Sequence, residues 1–161
     1  LALGAEFPGT TVYEINPQGG SVIRQLLANS SFEKELELVG FGVDQESLKQ
    51  GETVTVSLLW RGLIDMDEDY TVFVHVMDEN GRLITQQDIR IEPATSSWQV
   101  KQLGRTQHTF TIPVDTKATS ANLIVGIYKW PSLNRLSLID KNGIPIDDKI
   151  SLMNIPFETV E

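Results

Sequence analysis

The sequence predicts an all-β domain, an antiparallel two-sheet β-sandwich of the immunoglobulin-like or jelly-roll-like kind. Short segments in which apolar and polar residues alternate recur along the chain, and clusters of Gly, Pro, Asn and Asp separate them. This period of two is typical of strands that bury one face. No segment shows the period of a convincing amphipathic helix. Regular strands without intervening helices favour an antiparallel sandwich over a parallel sheet.

The first 31 residues are the least regular part of the chain. Thr10 to Ile15 alternates as a strand does, and the sequence Asn-Pro-Gln-Gly-Gly at 16–20 predicts a turn after it. Ser21 to Leu27 suits either a strand or a short helix. We therefore interpret residues 1–31 as a linker or an added edge strand, and residues 32–161 as the β-sandwich domain.

Two strands are predicted between residues 32 and 62. The first, Leu36 to Val43, contains Gly40 and Gly42. Glycines inside a strand often mark a bulge or a close approach of another backbone. The second, Thr53 to Arg61, places apolar residues at alternate positions and therefore has a buried face.

A hairpin is predicted next. Tyr70 to Asp78 is apolar on both faces, which indicates a central strand rather than an edge strand. Arg82 to Ile91 is the return strand. Asn80 and Gly81 lie between them, and Asn-Gly supplies the positive φ angles that a two-residue hairpin turn requires.

The second half of the chain continues the same pattern. A long polar loop at Glu92 to Gly104 leads to further predicted strands. These are Thr106 to Ile112, the strongly apolar Asn122 to Trp130, Leu136 to Asp140, and Ile150 to Glu158.

Composition excludes several classes of function. The chain has 161 residues, which suits one domain, and 22 acidic against 13 basic residues give a net charge of −9. Nucleic-acid binding needs a basic surface, so nucleic acid is not an expected partner. The chain has no cysteine, which excludes disulfides and thiolate chemistry. No apolar run approaches 18 residues, so this segment is not expected to insert into a membrane.

Alternating acids are the first candidate for a metal site. Asp65, Asp67 and Asp69 have a spacing that can hold Ca²⁺. An EF-hand loop needs Gly at its sixth position and Glu at its twelfth, where this chain has Tyr70 and Val76. A solvated acidic turn accounts for the same residues, so we assign no metal site and leave Ca²⁺ binding open.

The two histidines, His75 and His108, are the candidates for catalysis or transition-metal binding. With nearby acids they could form a metal site or an acid–base pair. His75 lies mid-strand between apolar neighbours, which suits a half-buried structural histidine, and nothing in the sequence brings the two together. No nucleophile elbow or phosphate-binding loop is present, so we assign no catalytic residue and no cofactor.

Tryptophans in loops are the best candidates for ligand binding. Trp98 lies in the polar loop and Trp130 lies at a strand end before Pro131. Aromatic rings at such positions can stack on the apolar face of a sugar, so both are candidate carbohydrate-binding residues. Each ring could instead cap an open end of the sandwich core. The latter is the interpretation for Trp60, which lies within a strand.

Several motifs resemble those of one family. They are Leu-Glu-Leu-Val-Gly-Phe-Gly-Val at 36–43, the strand that ends in Leu-Leu-Trp-Arg at 58–61, and Asp-Tyr-Thr-Val-Phe-Val-His-Val-Met-Asp-Glu-Asn-Gly-Arg-Leu at 69–83. Thr-Ser-Ser-Trp at 95–98 and Val-Gly-Ile-Tyr at 125–128 also fit. Together they resemble the C-terminal β-sandwich module that follows the polytopic segment of bacterial membrane glycosyltransferases similar to protein O-mannosyltransferases. The resemblance covers about Phe32 to Phe157.

The resemblance implies a non-catalytic, extracytoplasmic accessory domain in the cell envelope, whose partner is its parent membrane protein or a carbohydrate. The family often has Asp-Pro or Asp-x-x-Thr-Gly after the Gly-x-Tyr strand. This chain has Lys-Trp-Pro-Ser at 129–132, so a shared role of that loop does not carry over. The alternative hypothesis is a stand-alone enzyme or metal-dependent domain, which requires His75, His108 and nearby acids to converge.

Overall fold

The computed structural model describes residues 2–7, 10–15, 22–27 and 30–158, with side chains from residue 30 onward. These residues form strands and one short 3₁₀ turn, Thr95–Ser97. The strands are β1 (Ala2–Phe7), β2 (Thr10–Ile15), β3 (Val22–Leu27), β4 (Ser31–Phe32), β5 (Leu36–Val43), β6 (Thr53–Gly62), β7 (Tyr70–Asp78), β8 (Leu83–Arg90), β9 (Leu103–Thr111), β10 (Ser120–Lys129), β11 (Leu138–Ile139), β12 (Pro145–Asp147) and β13 (Ile150–Pro156).

Two antiparallel sheets pack face to face, which confirms the predicted β-sandwich. In the first sheet, β9, β6 and β5 are neighbours, and both β3 and β4 pair with the remaining edge of β5. Beyond β3 the sheet continues with β2 and then β1. Beyond β4 it continues with β11 and then β12. The second sheet has the order β13–β10–β7–β8. β7 is therefore central, as its two apolar faces predicted.

The core lies between the inner faces of the two sheets. The inward positions of β7 and β10, such as Val74 and Val125, are fully buried against those of β5 and β6. Trp60 and Phe32 fill the centre with a tilted pair of rings whose centroids are 6.1 Å apart. Burial of large side chains of this kind stabilises a fold by about 1.5–3 kcal/mol each.

One glycine of β5, Gly40, lies beside an irregularity in the ladder. The register between β5 and β6 shifts between Leu38 and Gly40, which fits the first of the two interpretations offered for these glycines, a bulge or a close backbone approach. β9 begins at Leu103, before the predicted start at Thr106, because Leu103 to Arg105 continue the ladder with β6.

The β7–β8 turn differs from the predicted two-residue turn. Gly81 N–H donates to Asp78 C=O at 3.0 Å, and among the residues of this turn only Gly81 has a positive φ, +77°. This is a type I turn followed by a left-handed glycine, in which Asn80 does not need a positive φ. The Asp78 carboxylate orders the turn, because its Oδ1 accepts hydrogen bonds from the Asn80 and Arg82 N–H groups.

The strands β1, β2 and β3 extend the first sheet from the edge of β5. The turn predicted at 16–20 lies outside the described residues, and the boundary between a first segment and a sandwich domain at residue 31 stays a prediction. In the part of the chain that the structure describes, no helix has the length and apolar character to cross a bilayer.

Candidate functional site

A groove of about 580 Å³ lies on the outer face of the second sheet. Its floor comes from β7 and β10, where alternate residues point away from the core. Phe73 and Ile124 are buried in this outer face although they take no part in the core between the sheets. The lining residues are Phe73, His75, Met77, Asp78, Glu79, Gly81, Asn122, Ile124, Arg135, Lys149 and Asn154.

Strand pairing arranges the floor in rows that cross the groove. One row is Met77, Asn122 and Asn154, which are cross-strand partners on β7, β10 and β13. The next row, two residues along each ladder, begins with His75 and its partner Ile124. Side chains of cross-strand partners lie about 5 Å apart, so each row presents a continuous surface.

Phe73 forms the apolar end of the groove. Its ring lies over Gly126, where an added Cβ would approach Phe73 Cζ to 2.1 Å. The Arg135 guanidinium covers the other side of the ring at 4.5 Å from its centroid, a cation–π arrangement. Asp148 holds this guanidinium with an ion pair of 3.0 Å. The segment between β10 and β13 therefore closes this end.

Charged groups flank the groove, and each has partners. Lys149 Nζ lies 3.1 Å from Asp147 and 3.3 Å from Asp148, and these partners raise the Lys149 pKa. At the opposite end, Glu79 Oε2 accepts hydrogen bonds from the N–H groups of Thr119 and Ser120. A hydrogen bond from its own N–H, together with these two, lowers the pKa of Glu79.

Uncharged polar groups occupy the middle of the groove. Ser151 Oγ donates to Asn122 Oδ1 at 2.8 Å, which leaves the Asn122 amide N–H groups free to donate into the groove. The half-buried His75 ring packs on Phe73 with centroids 4.6 Å apart and makes no hydrogen bond to another described residue. Burial lowers the His75 pKa, and Asp88 opposes that effect. A neutral imidazole offers one donor and one acceptor.

Trp98, one of the two predicted carbohydrate-binding residues, is buried. Only 3% of its surface is exposed, and its ring lies on Gly104, where an added Cβ would come within 2.1 Å of Cζ2. Its indole Nε1–H donates to Pro93 C=O at 2.9 Å. Trp98 thus belongs to the core, and its ring faces cannot receive a ligand in this structure.

Trp130, the other predicted carbohydrate-binding residue, is 54% exposed. It follows β10 and does not line the groove. Trp98 and Trp130 therefore do not form a pair of exposed rings, because only Trp130 is exposed. A role for Trp130 in carbohydrate binding stays a prediction.

His75 and His108 do not converge. His75 points into the outer groove, whereas His108 is fully buried at an inward position of β9, facing β8 across the sandwich. His108 Nδ1 lies 3.3 Å from Gln87 C=O and its Nε2 lies 3.0 Å from Thr106 Oγ1. Because a carbonyl only accepts, Nδ1 carries a proton. Burial lowers the pKa of His108 to about 4, so the ring is neutral at pH 7.

The predicted acidic turn carries no metal-binding arrangement in the described part of the chain. Asp65 and Asp67 are exposed, and Asp69 Oδ1 accepts hydrogen bonds from Ser96 Oγ at 2.7 Å and Ser96 N at 3.3 Å. These bonds lower the Asp69 pKa. Across residues 30–158 no three His, Asp or Glu side chains lie close enough together to hold an ion.

Sequence analysis missed Asn122 and Asn154. It interpreted His75 as a structural histidine or, in the alternative hypothesis, as part of a metal or acid–base site, but not as a ligand-binding residue. The sequence did contain a signal. His75 and Asn122 are polar residues within the two most apolar strands, at positions where the alternation predicts side chains that face away from the core. That these two lie together with Asn154 depends on the β7–β10–β13 register. Such long-range pairing cannot be read from local periodicity.

Comparison with solved structures supports the fold. The chain is similar to the C-terminal domain of wzt, with a TM-score of 0.56, 10% identity, and coverage of 96% of this chain and 84% of that chain. At this identity the likeness shows the fold alone. Spo0M, a sporulation control protein from Bacillus subtilis, matches with a TM-score of 0.34, 15% identity, and coverage of 78% and 49%, and it carries no argument. No family model and no curated protein matches the chain.

Proposed function

We propose that this chain is a non-catalytic accessory module that binds carbohydrate in the outer groove of its second sheet. The observation that carries the proposal is the groove itself, in which an apolar floor is combined with planar polar side chains. Ligand sites of small molecules share this composition, because apolar area supplies affinity and a few oriented polar groups supply specificity. A sugar presents both an apolar C–H face and a set of hydroxyl groups.

The groove residues match those two faces of a sugar. Ile124 and Met77 offer apolar contact, while Asn122, Asn154 and His75 offer hydrogen bonds to hydroxyls. The floor of the groove belongs to the paired strands β7, β10 and β13, so its polar groups are already positioned before a ligand arrives.

We further propose that the module is part of a larger cell-envelope protein and lies outside the cytoplasmic membrane. The family resemblance in the sequence supports this context, with a polytopic glycosyltransferase as the parent. The similar wzt structure is itself described as a C-terminal domain, which supports a role as an appended module. The parent can be tested by sequencing the full gene, where transmembrane helices upstream of residue 1 are expected.

The test of carbohydrate binding is a glycan array followed by calorimetry. Asn154→Arg places a long charged side chain at an exposed position of the groove, and we expect it to weaken binding at least tenfold. Gln107→Arg is the matched control, because Gln107 is an exposed strand residue on the first sheet. Binding that is unchanged in Asn154→Arg but lost in Trp130→Ala would move the site to Trp130. Absence of binding to every glycan would contradict the proposal.

The alternative of an enzyme or metal-dependent domain is not favoured by the geometry. It required His75 and His108 to share a pocket. His75 instead lies on the outer face of the second sheet, whereas His108 on β9 of the first sheet points into the interior of the sandwich. A metal titration followed by thermal unfolding would test it, since a bound ion raises the melting temperature.

A further inference from the structure

Both cations of the groove are paired with acidic side chains. Arg135 and Lys149 are both paired with Asp148, and Lys149 also with Asp147. A carboxylate or phosphate on a ligand would have to displace these partners. The whole chain also carries a net charge of −9, which repels a polyanion.

The carboxylates at the acidic end of the groove already accept hydrogen bonds. Asp78 Oδ1 accepts from two N–H groups of its own turn, and Glu79 Oε2 accepts from Thr119 and Ser120. A cationic ligand would therefore compete with hydrogen bonds that order the β7–β8 turn. The carboxylates at this end keep their negative charge, because their partners are neutral N–H groups, and they therefore repel an anionic ligand.

The centre holds only uncharged hydrogen-bonding groups. Asn122 and Asn154 are direct cross-strand partners, so their amides lie side by side. Ser151 fixes the Asn122 amide with its N–H groups free, and His75 lies diagonally across the floor from it. Amides and a neutral imidazole together supply donors and acceptors for hydroxyl groups without attracting a charge.

Resting on the proposed function, we infer that the ligand is an uncharged, hydroxyl-rich glycan, held by the Asn122–Asn154 amide pair and the imidazole of His75. Glycans that carry uronic acid, sulfate or phosphate groups are excluded by the paired charges at the ends of the groove. The amide N–H groups of Asn122 donate to sugar hydroxyl oxygens.

The experiment compares neutral and anionic probes on the intact chain. Neutral gluco-, galacto- and manno-oligosaccharides and acidic polygalacturonate and alginate oligosaccharides are titrated by calorimetry. We expect binding to a neutral probe only. Asn122→Asp, which keeps the shape but replaces the amide donors by a negative charge, is expected to weaken it at least tenfold, whereas the exposed turn variant Asn142→Asp leaves it unchanged.

The outcomes separate this inference from the proposed function. If only anionic probes bind, and Asn154→Arg abolishes that binding, the neutral-glycan inference is overturned. The proposal of carbohydrate binding in the groove would remain. Failure of both probe classes would overturn both. Undiminished neutral binding in Asn122→Asp would also overturn the assigned role of the amide pair. If Asn122→Asp does not fold by circular dichroism, Asn154→Asp at the exposed partner position gives the same comparison.

Discussion

Two residues in the turn between β4 and β5 have a backbone conformation that L-residues disfavour. Glu33 and Lys34 have φ values of +50° and +58°. The left-handed region costs an L-residue about 1–2 kcal/mol, a cost that glycine avoids. This strain is local, so a single substitution should relieve it.

We predict that Lys34→Gly is more stable than Lys34→Ala by about 1 kcal/mol, because both remove the side chain and only glycine removes the strain. Urea unfolding monitored by circular dichroism measures the difference. The reverse change, Gly81→Ala, should destabilise by a similar amount, since φ is +77° and nothing lies within 4 Å of the added Cβ. Equal stability of Lys34→Gly and Lys34→Ala would contradict the argument.

Gly104 is required by the packing of Trp98. The added Cβ of Gly104→Ala would lie 2.1 Å from Trp98 Cζ2, so the indole must move. We predict a destabilisation of about 1–3 kcal/mol, the usual cost of overpacking a core. Thermal unfolding measures the cost, and a change in near-ultraviolet circular dichroism would report the displaced ring.

A double-mutant cycle with Trp98→Phe tests whether this clash is the cause. Phe lacks the ring atoms that meet the added Cβ, so Gly104→Ala should cost less in the Trp98→Phe background than in the parent chain. An equal cost in both backgrounds would show that the glycine is needed for another reason.

A chain of buried hydrogen bonds joins the two sheets at the element scale. Trp60 Nε1–H on β6 donates to Thr106 Oγ1 at 3.2 Å, and the Thr106 hydroxyl lies 3.0 Å from His108 Nε2. His108 Nδ1–H donates to Gln87 C=O on β8 at 3.3 Å. Because β8 belongs to the second sheet and β9 to the first, this chain connects the sheets through the neutral form of His108.

We predict that this connection makes stability depend on pH. Burial lowers the pKa of His108 from 6.5 to about 4, so below pH 6.5 the unfolded state takes up a proton that the folded state excludes. The stabilisation that depends on neutral His108 is complete above pH 6.5 and is lost as the pH falls to about 4. At 1.36 kcal/mol per pKa unit the loss is about 3 kcal/mol.

Urea unfolding at a series of pH values between 7.5 and 4.5 measures this loss. His108→Gln should flatten the pH dependence, whatever its own stability at neutral pH. His75→Gln is the control, because His75 is half-buried and its variant should keep most of the slope. A slope that survives in His108→Gln would assign the acid sensitivity to carboxylates instead.

At the scale of the whole molecule, the second sheet serves two purposes. Its inner face forms half of the core, and its outer face forms the groove. The residues between β10 and β13 close one end of that groove through Arg135 and Asp148. A binding surface built on a core sheet is rigid. Its affinity for a ligand should therefore depend on the protonation of the groove residues more than on loop motion.

We predict that glycan affinity falls when His75 becomes protonated. Burial holds its pKa below the ordinary value of 6.5, so affinity should stay constant above that pH and decrease below it. Calorimetry at several pH values measures the profile, with circular dichroism at each pH to confirm that the chain remains folded. His75→Gln should remove the decrease, and a decrease that persists in that variant would exclude His75 as its source.

Local pattern was sufficient to predict most strands of this protein. The bounds predicted for β5 and β7 agree with the structure, because alternation of buried and exposed residues is encoded in neighbouring positions. The β7–β8 hairpin was also predicted, although its turn type was not. The Asp78 carboxylate accepts two hydrogen bonds within this turn, and the Asn-Gly pair does not reveal them.

The sequence by itself determined the fold class, the main strands and the central position of β7, since each follows from residue periodicity. Only the tertiary structure decided which side chains meet. It buried Trp98 against Gly104, separated His75 from His108, and brought His75, Asn122 and Asn154 into one groove. The reason is physical: those contacts depend on register between strands far apart in the chain, and periodicity within a strand carries no information about its partner.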